Sequence, residues 1–195
     1  MRLPRLLVLT DRRQAQRPLA DVVKAALEGG APAVVLREKD LPRDERARLA
    51  DELRPAVALS GALLLVASDP TIPADGVHLA GSDPVPAERP PLLGRSCHGA
   101  DDLAAAAAEG CDWATLSPIF TSASKPGYGP ALGTAALGDA SLPVYALGGV
   151  DVSNAAACTD AGCAGVAVMG AVMSAPDPAA VVTRLLAALD GEGPR

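Results

Sequence analysis

The chain has 195 residues, of which 49% are hydrophobic and 21% charged, a composition that excludes a mainly disordered protein. Its net charge of -6 argues against non-specific nucleic-acid binding, which relies on a basic face. The longest charge-free run, residues 161–176, is too short and glycine-rich to span a membrane, and the basic start of the chain lacks a signal-peptide core. We therefore expect a cytoplasmic protein, with one domain covering residues 1–195.

Short apolar runs rich in Val, Leu and Ile alternate with helical patterns, as in a parallel sheet covered by helices. The predicted strands are residues 6–10, 33–37, 63–67, 76–79, 93–97, 113–116, 144–147 and 165–169. The predicted helices are residues 19–28, 44–59, 100–109, 153–161 and 178–189, with a one-turn remnant near 70–74 and a short helix near 134–137. This order predicts a compact (β/α)8 TIM barrel with shortened helices after strands three and four, a doubly wound open sheet being the alternative.

Two cations follow the second predicted strand. In such barrels the active site lies at the carboxyl ends of the strands and in the loops after them. The two-residue period of a strand places Arg37 and Lys39 on the same side as Val35, facing the barrel mouth. Two converging cations suit a phosphorylated ligand, and the alternative is a run of solvated charges.

Two acidic residues follow the next two strands. Asp69 comes after strand three and Asp83 after strand four, so their carboxylates leave neighbouring strands at the same end of the barrel. Mg2+ is commonly held by one or two carboxylates together with substrate phosphates. The alternative is that both are turn residues beside the prolines that follow them.

The fifth strand ends in a histidine. His98 is a candidate acid–base group because its charge can change near neutral pH, and Ser96 shares its face of the strand. Cys97 lies between them, but alternation sends its side chain the other way, which disfavours a cysteine–histidine nucleophile. The four cysteines of the chain form no CxxC pair, so we expect neither a zinc site nor a disulfide framework.

The loop after the sixth strand is long and rich in hydroxyl groups. Ser122, Ser124 and Lys125 together can form a phosphate clamp, and the glycines nearby would let the loop close as a lid. These three residues are therefore candidates for binding an anionic substrate.

Glycines follow the last two strands, where barrels often bind phosphate through unobstructed backbone N–H groups. Gly148 and Gly149 follow strand seven, and Gly170 follows strand eight. The alternative is a purely conformational role for these glycines.

In their order and spacing these segments resemble the thiamine phosphate synthase and thiazole tautomerase family over nearly the whole chain. The segments that carry the resemblance are residues 9–11 (Leu-Thr-Asp), 28–30 (Glu-Gly-Gly), 36–40 (Leu-Arg-Glu-Lys-Asp), 75–79 (Asp-Gly-Val-His-Leu), 94–98 (Gly-Arg-Ser-Cys-His), 117–120 (Ser-Pro-Ile-Phe), 148–149 (Gly-Gly), 154–155 (Asn-Ala) and 165–169 (Gly-Val-Ala-Val-Met). The family fold is a (β/α)8 barrel, in agreement with the strand count.

The synthase branch of this family joins an aminopyrimidine methyl diphosphate to a thiazole phosphate, releasing diphosphate and forming thiamine phosphate. The resemblance implies that Arg37, Lys39 and Lys125 hold the diphosphate and that Asp69 and Asp83 hold Mg2+. The expected partners are therefore small phosphorylated substrates, with no nucleic acid and no membrane, and a homo-oligomer remains open.

The resemblance also implies which residues contact the second substrate. By resemblance, Ser122 and Ser124 contact a substrate phosphate or carboxylate, while Gly149 and Gly170 cradle the thiazole phosphate. Gly170 itself departs from the family, which commonly has a serine there.

Two further departures concern polar contacts to substrate. Synthases usually carry a glutamine at the position of Val35 and an asparagine at that of Ser68. The tautomerase branch, which isomerises a thiazole carboxylate phosphate by proton transfer, generally lacks the metal carboxylates and relies on a histidine matching His98. The acidic pair and Lys125 favour the synthase, and the alternatives are the tautomerase and a non-catalytic relative that binds a phosphorylated ligand.

Overall fold

The computed structural model describes residues 3–121, 130–138 and 140–191. The strands in chain order are Leu6–Leu9 (β1), Ala33–Leu36 (β2), Leu63–Ala67 (β3), Gly76–Leu79 (β4), Leu93–Cys97 (β5), Trp113–Leu116 (β6), Val144–Leu147 (β7) and Gly165–Val168 (β8). Each strand pairs in parallel with the next, and β8 pairs with β1 to close the ring. The predicted barrel is confirmed, and the open-sheet alternative is wrong.

Three strands end one residue earlier than predicted, so that Thr10, Arg37 and Met169 lie just beyond β1, β2 and β8. The hydroxyl of Thr10 accepts a hydrogen bond from the backbone N–H of Arg37 at 3.0 Å. This bond joins the first two loops at the carboxyl end of the barrel, where a ladder bond would otherwise continue the strand.

The helices cover the outside of the barrel. They are Leu19–Glu28 (α1), Arg43–Ser60 (α2), Ala100–Ala108 (α3), Ala155–Asp160 (α4), Gly170–Met173 (α5) and Pro178–Leu189 (α6), with a 3-10 helix at Thr134–Leu137. Helix α5 was not predicted, and α4 is shorter at both ends than the predicted segment. Within the described ranges, no helix is long and apolar enough to cross a membrane.

Residues 63–97 are all described, and within them the connections after β3 and after β4 contain turns and no helix. The predicted one-turn helix near residues 70–74 is therefore wrong. Asp69 accepts a hydrogen bond from the Thr71 N–H at 3.0 Å, which closes a local turn, and Pro73 has no N–H with which to continue a helix. The barrel is reduced on this side even further than the sequence predicts.

Neighbouring residues of each strand pack into different cores. Leu6 and Val8 of β1 belong to the large layer between strands and helices, whereas Leu7 and Leu9 fill the barrel interior. All four side chains are at most 4% exposed. Both faces of the strands are thus buried, which explains why they appear in the sequence as continuous apolar runs.

An indole occupies much of the barrel interior. Trp113 of β6 is 1% exposed and lies against β5 at Gly94, where a Cβ atom would come within 2.1 to 2.5 Å of the indole ring. No side chain larger than hydrogen fits beside this ring, so Gly94 is required by packing.

One titratable side chain is buried in the same interior. His78 of β4 stacks on Trp113 with ring centroids 6.1 Å apart, and its Nε2 lies 3.0 Å from the Ser96 hydroxyl and 3.3 Å from that of Thr115. Burial, followed by positive charges such as that of Lys39, lowers the pKa of His78 to about 3. His78 is therefore a neutral imidazole at physiological pH.

We expect this buried imidazole to weaken the fold in acid. The pKa of His78 is lower in the folded state than the ordinary 6.5, so unfolding takes up a proton once the pH falls below that value. The free energy of unfolding should then decrease by roughly 1 kcal/mol per pH unit on account of this group as the pH falls from 6.5 towards 4. His78→Gln removes the titration, so urea unfolding of both proteins from pH 7 to 4 should give a shallower pH dependence for the variant. Parallel pH profiles would contradict the assignment.

Candidate active site

The candidate site residues lie at the carboxyl ends of the strands, on one rim of the barrel. The described candidates, in chain order, are Arg37, Lys39, Asp69, Asp83, Ser96, His98, Gly148, Gly149 and Gly170. Ser122, Ser124 and Lys125 fall outside the described residues. The described part of the rim therefore combines cations, carboxylates, a histidine and glycine backbone at the ends of six different strands.

The charges of the two cations after β2 act on groups of β4 and of the loop after it. The charges of Lys39 and Arg37 both lower the pKa of His78, and the charge of Lys39 also lowers that of Asp83. A cavity of about 290 Å³ is lined by residues 37–40 together with Thr10 and the loop after β1. The orientation of Arg37 and Lys39 towards the mouth stays a prediction from the alternation of the strand.

The departure at Val35 removes polarity from this part of the mouth. Val35 is fully buried in the barrel interior, among apolar side chains such as Ala67 and Leu65. The barrel interior is therefore apolar at this position, where the resemblance leads us to expect an amide.

Asp83 lies in a tight turn after β4 that is already organised by the protein. Its Oδ2 accepts a hydrogen bond from the Ala80 N–H at 2.7 Å. Burial raises the pKa of Asp83, but the Ser68 hydroxyl, the Ala80 N–H and the charges of Lys39 and Arg95 outweigh burial and lower it below its ordinary value. Asp83 is therefore ionised and held in place at neutral pH.

Arg95 shapes this turn from behind, a role that the sequence did not reveal. One guanidinium nitrogen, Nη1, donates to the carbonyl oxygens of Ala80, Gly81 and Asp83 at 2.9 to 3.1 Å. Nε of the same side chain forms an ion pair with Glu109 at 2.6 Å. Arg95 lies on the helix-facing side of β5, and its partners belong to other segments of the chain. The spacing of residues in the sequence therefore gave no sign of these contacts.

Asp69 has different partners from those of Asp83. Its Oδ1 accepts from the Thr71 hydroxyl at 2.7 Å, and its Oδ2 accepts from Arg46 of α2 at 3.0 Å. Burial raises the pKa of Asp69, whereas its bonds to Thr71 and the charges of Arg46 and Arg43 outweigh that effect and lower it. Both oxygens are thus engaged by protein donors on the helix side.

These carboxylates fit Mg2+ in their chemistry, because both are ionised oxygen donors at the ends of adjacent strands. Among the described residues, however, no group of three or more His, Cys, Asp or Glu side chains can enclose a metal. The two carboxylates therefore fit only part of a ligand set, and a Mg2+ ion held by them would need further ligands.

His98 is exposed just after β5 and has a defined orientation. Its Nδ1 lies 2.8 Å from the backbone carbonyl of Ser117, and because a carbonyl can only accept, Nδ1 carries the proton in the neutral ring. The backbone N–H of His98 donates to the Asp102 carboxylate at 2.7 Å. Nε2 is then the nitrogen that can accept a proton, as a general base requires.

Ser96 and Cys97 of β5 lie in different environments. The hydroxyl of Ser96 contacts His78 at 3.0 Å, so Ser96 faces the barrel interior. Cys97 is fully buried, and burial raises the pKa of its thiol to about 12. A thiol with this pKa is not a nucleophile at neutral pH, in agreement with the sequence argument against one.

Backbone conformation explains the glycines after β7. Gly148 and Gly149 have φ values of 91° and 65°, in the left-handed region that disfavours other residues. A Cβ on Gly149 would also lie 2.5 Å from the carbonyl oxygen of Thr121, because Phe120 and Thr121 pack directly on this turn. Both glycines are therefore needed for the backbone conformation of this turn. Because they carry no side chain, their backbone also lines a cavity.

Gly170 borders the same region from the other side. A cavity of about 540 Å³ is lined by Gly148, Gly149 and Gly170 together with Gln14 and Ser174. A Cβ on Gly170 would lie 2.8 Å from the amide oxygen of Gln14, so Gln14 occupies space next to the position where the family commonly has a serine. The sequence offered no signal for Gln14, which comes from the loop after β1.

Known proteins of similar sequence and structure bear on this site. The family model described as thiamine monophosphate synthase matches residues 6–172. The thiamine-phosphate synthase of Roseiflexus castenholzii is 38% identical over 194 residues, covering 91% of this chain and 85% of that protein. That of Methanoculleus marisnigri is 38% identical over 206 residues, covering 96% of this chain and 98% of that protein.

Solved structures agree with the sequence relatives. A thiamine phosphate pyrophosphorylase from Pyrococcus furiosus has a TM-score of 0.85 and 28% identity, covering 96% of both chains. A 3-hexulose-6-phosphate synthase with a TM-score of 0.70 and 21% identity shares the fold. Since the family model matches most of the chain and the relatives align over nearly its full length, the chain belongs to the thiamine monophosphate synthase family.

Proposed function

We propose that this protein is a transferase that joins hydroxymethylpyrimidine diphosphate to thiazole phosphate. The products are thiamine phosphate and diphosphate, and the reaction belongs to thiamine biosynthesis. The observation that carries the proposal is the family match over residues 6–172, in a barrel that has Arg37, Lys39 and Asp83 in the loops after β2 and β4 on its carboxyl rim. Action in the cytoplasm is part of the same proposal, and a homo-oligomer is compatible with it.

In the proposed reaction the bond between the pyrimidine methylene carbon and the diphosphate oxygen breaks, and the thiazole nitrogen then forms a bond to that carbon. The electron pair of the broken bond leaves with the diphosphate. Arg37, Lys39 and Lys125 are proposed to bind this leaving group, because its charge grows in the transition state and fixed cations stabilise it most there. Holding both substrates in one mouth supplies the orientation for bond formation.

Asp83 is proposed as the principal Mg2+ ligand of the chain, with Asp69 contributing through the oxygen that it also shares with Arg46. When bound together with the diphosphate, Mg2+ would neutralise part of the leaving-group charge. The turn held by Arg95 keeps the Asp83 carboxylate in position before any substrate arrives.

The thiazole phosphate is proposed to bind across the mouth from the cations. The backbone of Gly148, Gly149 and Gly170 lines a cavity large enough for it, and backbone N–H groups are good phosphate donors. Ser122 and Ser124 would complete this subsite from the loop after β6. Ser96 is proposed to contribute from the barrel interior beneath the substrates, where its hydroxyl contacts His78.

A tautomerase is the second candidate, favoured by the geometry of His98. The Ser117 carbonyl leaves Nε2 as the proton-accepting nitrogen at the rim, which suits proton transfer on a thiazole carboxylate phosphate. The synthase is preferred because the tautomerase needs neither the cations of the diphosphate site nor the acidic pair. A non-catalytic relative that binds phosphorylated ligands is the third reading, supported only by the apolar Val35 and by Ser68.

The decisive experiment supplies the purified protein with both phosphorylated substrates and Mg2+. Thiamine phosphate and diphosphate should appear in equal amounts, and Lys125→Ala should lower kcat/KM at least about tenfold, since a charge-assisted contact contributes on the order of 1.5 to 3 kcal/mol. Lys24→Ala, on the exposed side of α1, is the matched control and should be unaffected. The absence of thiamine phosphate would refute the proposed function.

The two aspartates should respond differently to removal of their charge. Asp83→Asn should raise the Mg2+ concentration for half-maximal activity at least about tenfold, because it removes the better prepared ligand. Asp69→Asn should have a smaller effect, since its oxygens already bind Arg46 and Thr71. Titration of Mg2+ against initial rate measures both, and full activity in excess chelator would exclude the metal from the reaction.

His98 separates the two enzymatic candidates. A synthase needs no histidine to transfer protons, so His98→Asn should lower its kcat only modestly. A tautomerase should lose roughly 100-fold to 10,000-fold, the usual contribution of a general acid–base group. Parallel assays of both reactions with wild type and variant make this comparison. A collapse of synthase activity at unchanged stability would place His98 beside the reacting groups instead.

A further inference from the structure

We propose that Arg12 is a positioning residue, which keeps Arg37 and Lys39 directed into the barrel mouth by binding the acidic residues interleaved with them. The Arg12 latch is defined here as Arg12 with its partners Glu38 and Asp40. The inference rests on the proposed function in so far as Arg37 and Lys39 bind a diphosphate. Arg12 itself is a residue of the loop after β1 and is assigned no contact with substrate.

Arg12 binds both acidic residues of the loop after β2. Its guanidinium forms a bidentate pair with Asp40, with Nη1 to Oδ1 and Nη2 to Oδ2 distances of 2.8 Å each. Nη1 also donates to Glu38 Oε2 at 3.0 Å, and the Arg12 backbone N–H donates to Glu38 Oε1 at 3.0 Å. Bidentate charge-assisted bonds are the most directional that a side chain can make.

Burial makes the Glu38 arm of the latch hard to release. The Glu38 side chain is fully buried, at 0% exposure, whereas that of Arg12 is 35% exposed. An ionised carboxylate buried without a partner is strongly unfavourable. The Asp40 arm is more exposed, yet its hydrogen bonds from Arg12 lower the pKa of Asp40 to about 2. Asp40 is thus charged when bound to Arg12.

The latch separates charges that would otherwise cancel. Residues 37–40 read Arg-Glu-Lys-Asp, a run with no net charge that would attract a diphosphate weakly if all four side chains shared one surface. Glu38 and Asp40 bind the Arg12 guanidinium. Val35 of β2 faces the barrel interior whereas Leu36 faces the helices, so the same alternation continued past β2 places Arg37 and Lys39 on the interior side. The two acids of the run are then neutralised by Arg12.

The backbone transmits this constraint over a very short distance. The Arg37 N–H donates to the Thr10 hydroxyl at 3.0 Å, and the Leu41 N–H donates to the Glu38 carbonyl at 3.1 Å. The loop is therefore tied to the β1 side at its start and in the latch, with each cation one residue from an anchored neighbour. A loosened latch allows both cations to sample other directions, and small misplacements of catalytic groups are expensive.

The test compares Arg12→Gln with Arg5→Gln. Arg5 lies before β1, at the opposite end of the barrel, and pairs with Asp190 at 3.0 Å with similar exposure of 38%, so the control loses the same charge. Two quantities are measured on each protein, namely the dissociation constant of inorganic diphosphate in Mg2+ and the rate of tryptic cleavage after Arg37 and Lys39. The cleavage rate reports on the loop independently of any activity.

Arg12→Gln should weaken diphosphate binding at least about tenfold and accelerate cleavage at both sites, while Arg5→Gln changes neither. Unchanged cleavage, or faster cleavage with unchanged diphosphate binding, would overturn the proposal. Should Arg12→Gln not fold, Arg12→Lys and Asp40→Asn each retain the buried partner's compensation and break only the bidentate arm, and the same two outcomes decide. If the wild type binds diphosphate yet forms no thiamine phosphate, the proposed function fails and the latch is still tested.

Discussion

Closure of the barrel by the pairing of β1 with β8 is the constraint on which the remaining structure depends. Because all eight strands are parallel, closure brings every carboxyl end to a single rim. The side chains of the strands are buried on both faces, one set inside the barrel and the other against the helices. Chemistry is therefore confined to the few residues that follow each strand, and these must share a small, highly charged space.

Three arginines form ion pairs with carboxylates in or beside the loops of this rim. Arg46 of α2 binds Asp69, Arg95 of β5 binds Glu109 and the turn that carries Asp83, and Arg12 binds the acids beside the cationic pair. In each case a guanidinium with a fixed fork of donors immobilises a carboxylate or a loop. The rim is thus organised before ligand binding, which reduces the reorganisation that a reaction would otherwise require.

Strand positions could be predicted because both faces of each strand are buried, so that a run such as residues 33–36 is apolar throughout. Helix α5 could not, because Gly170–Met173 continues the apolar run of β8 with no capping signal. The strand ends at which Lys39 and Asp83 lie were predictable, and the role of both residues in a site stays a prediction. The partners of Asp69 were not, since Arg46 is 23 residues away and meets it only through the packing of α2 on the barrel.

The two histidines of the chain illustrate what local sequence leaves undetermined. His78 and His98 both lie near the carboxyl end of a strand. His78 is buried against Trp113 and held neutral, whereas His98 is exposed and its tautomer is set by a carbonyl. Only the second has the access that proton transfer to a substrate requires. The synthase nevertheless needs cations more than it needs a base, because departure of a diphosphate creates negative charge at the leaving group. The interaction that directs Arg37 and Lys39 into the mouth therefore bears more on this reaction than the orientation of either imidazole.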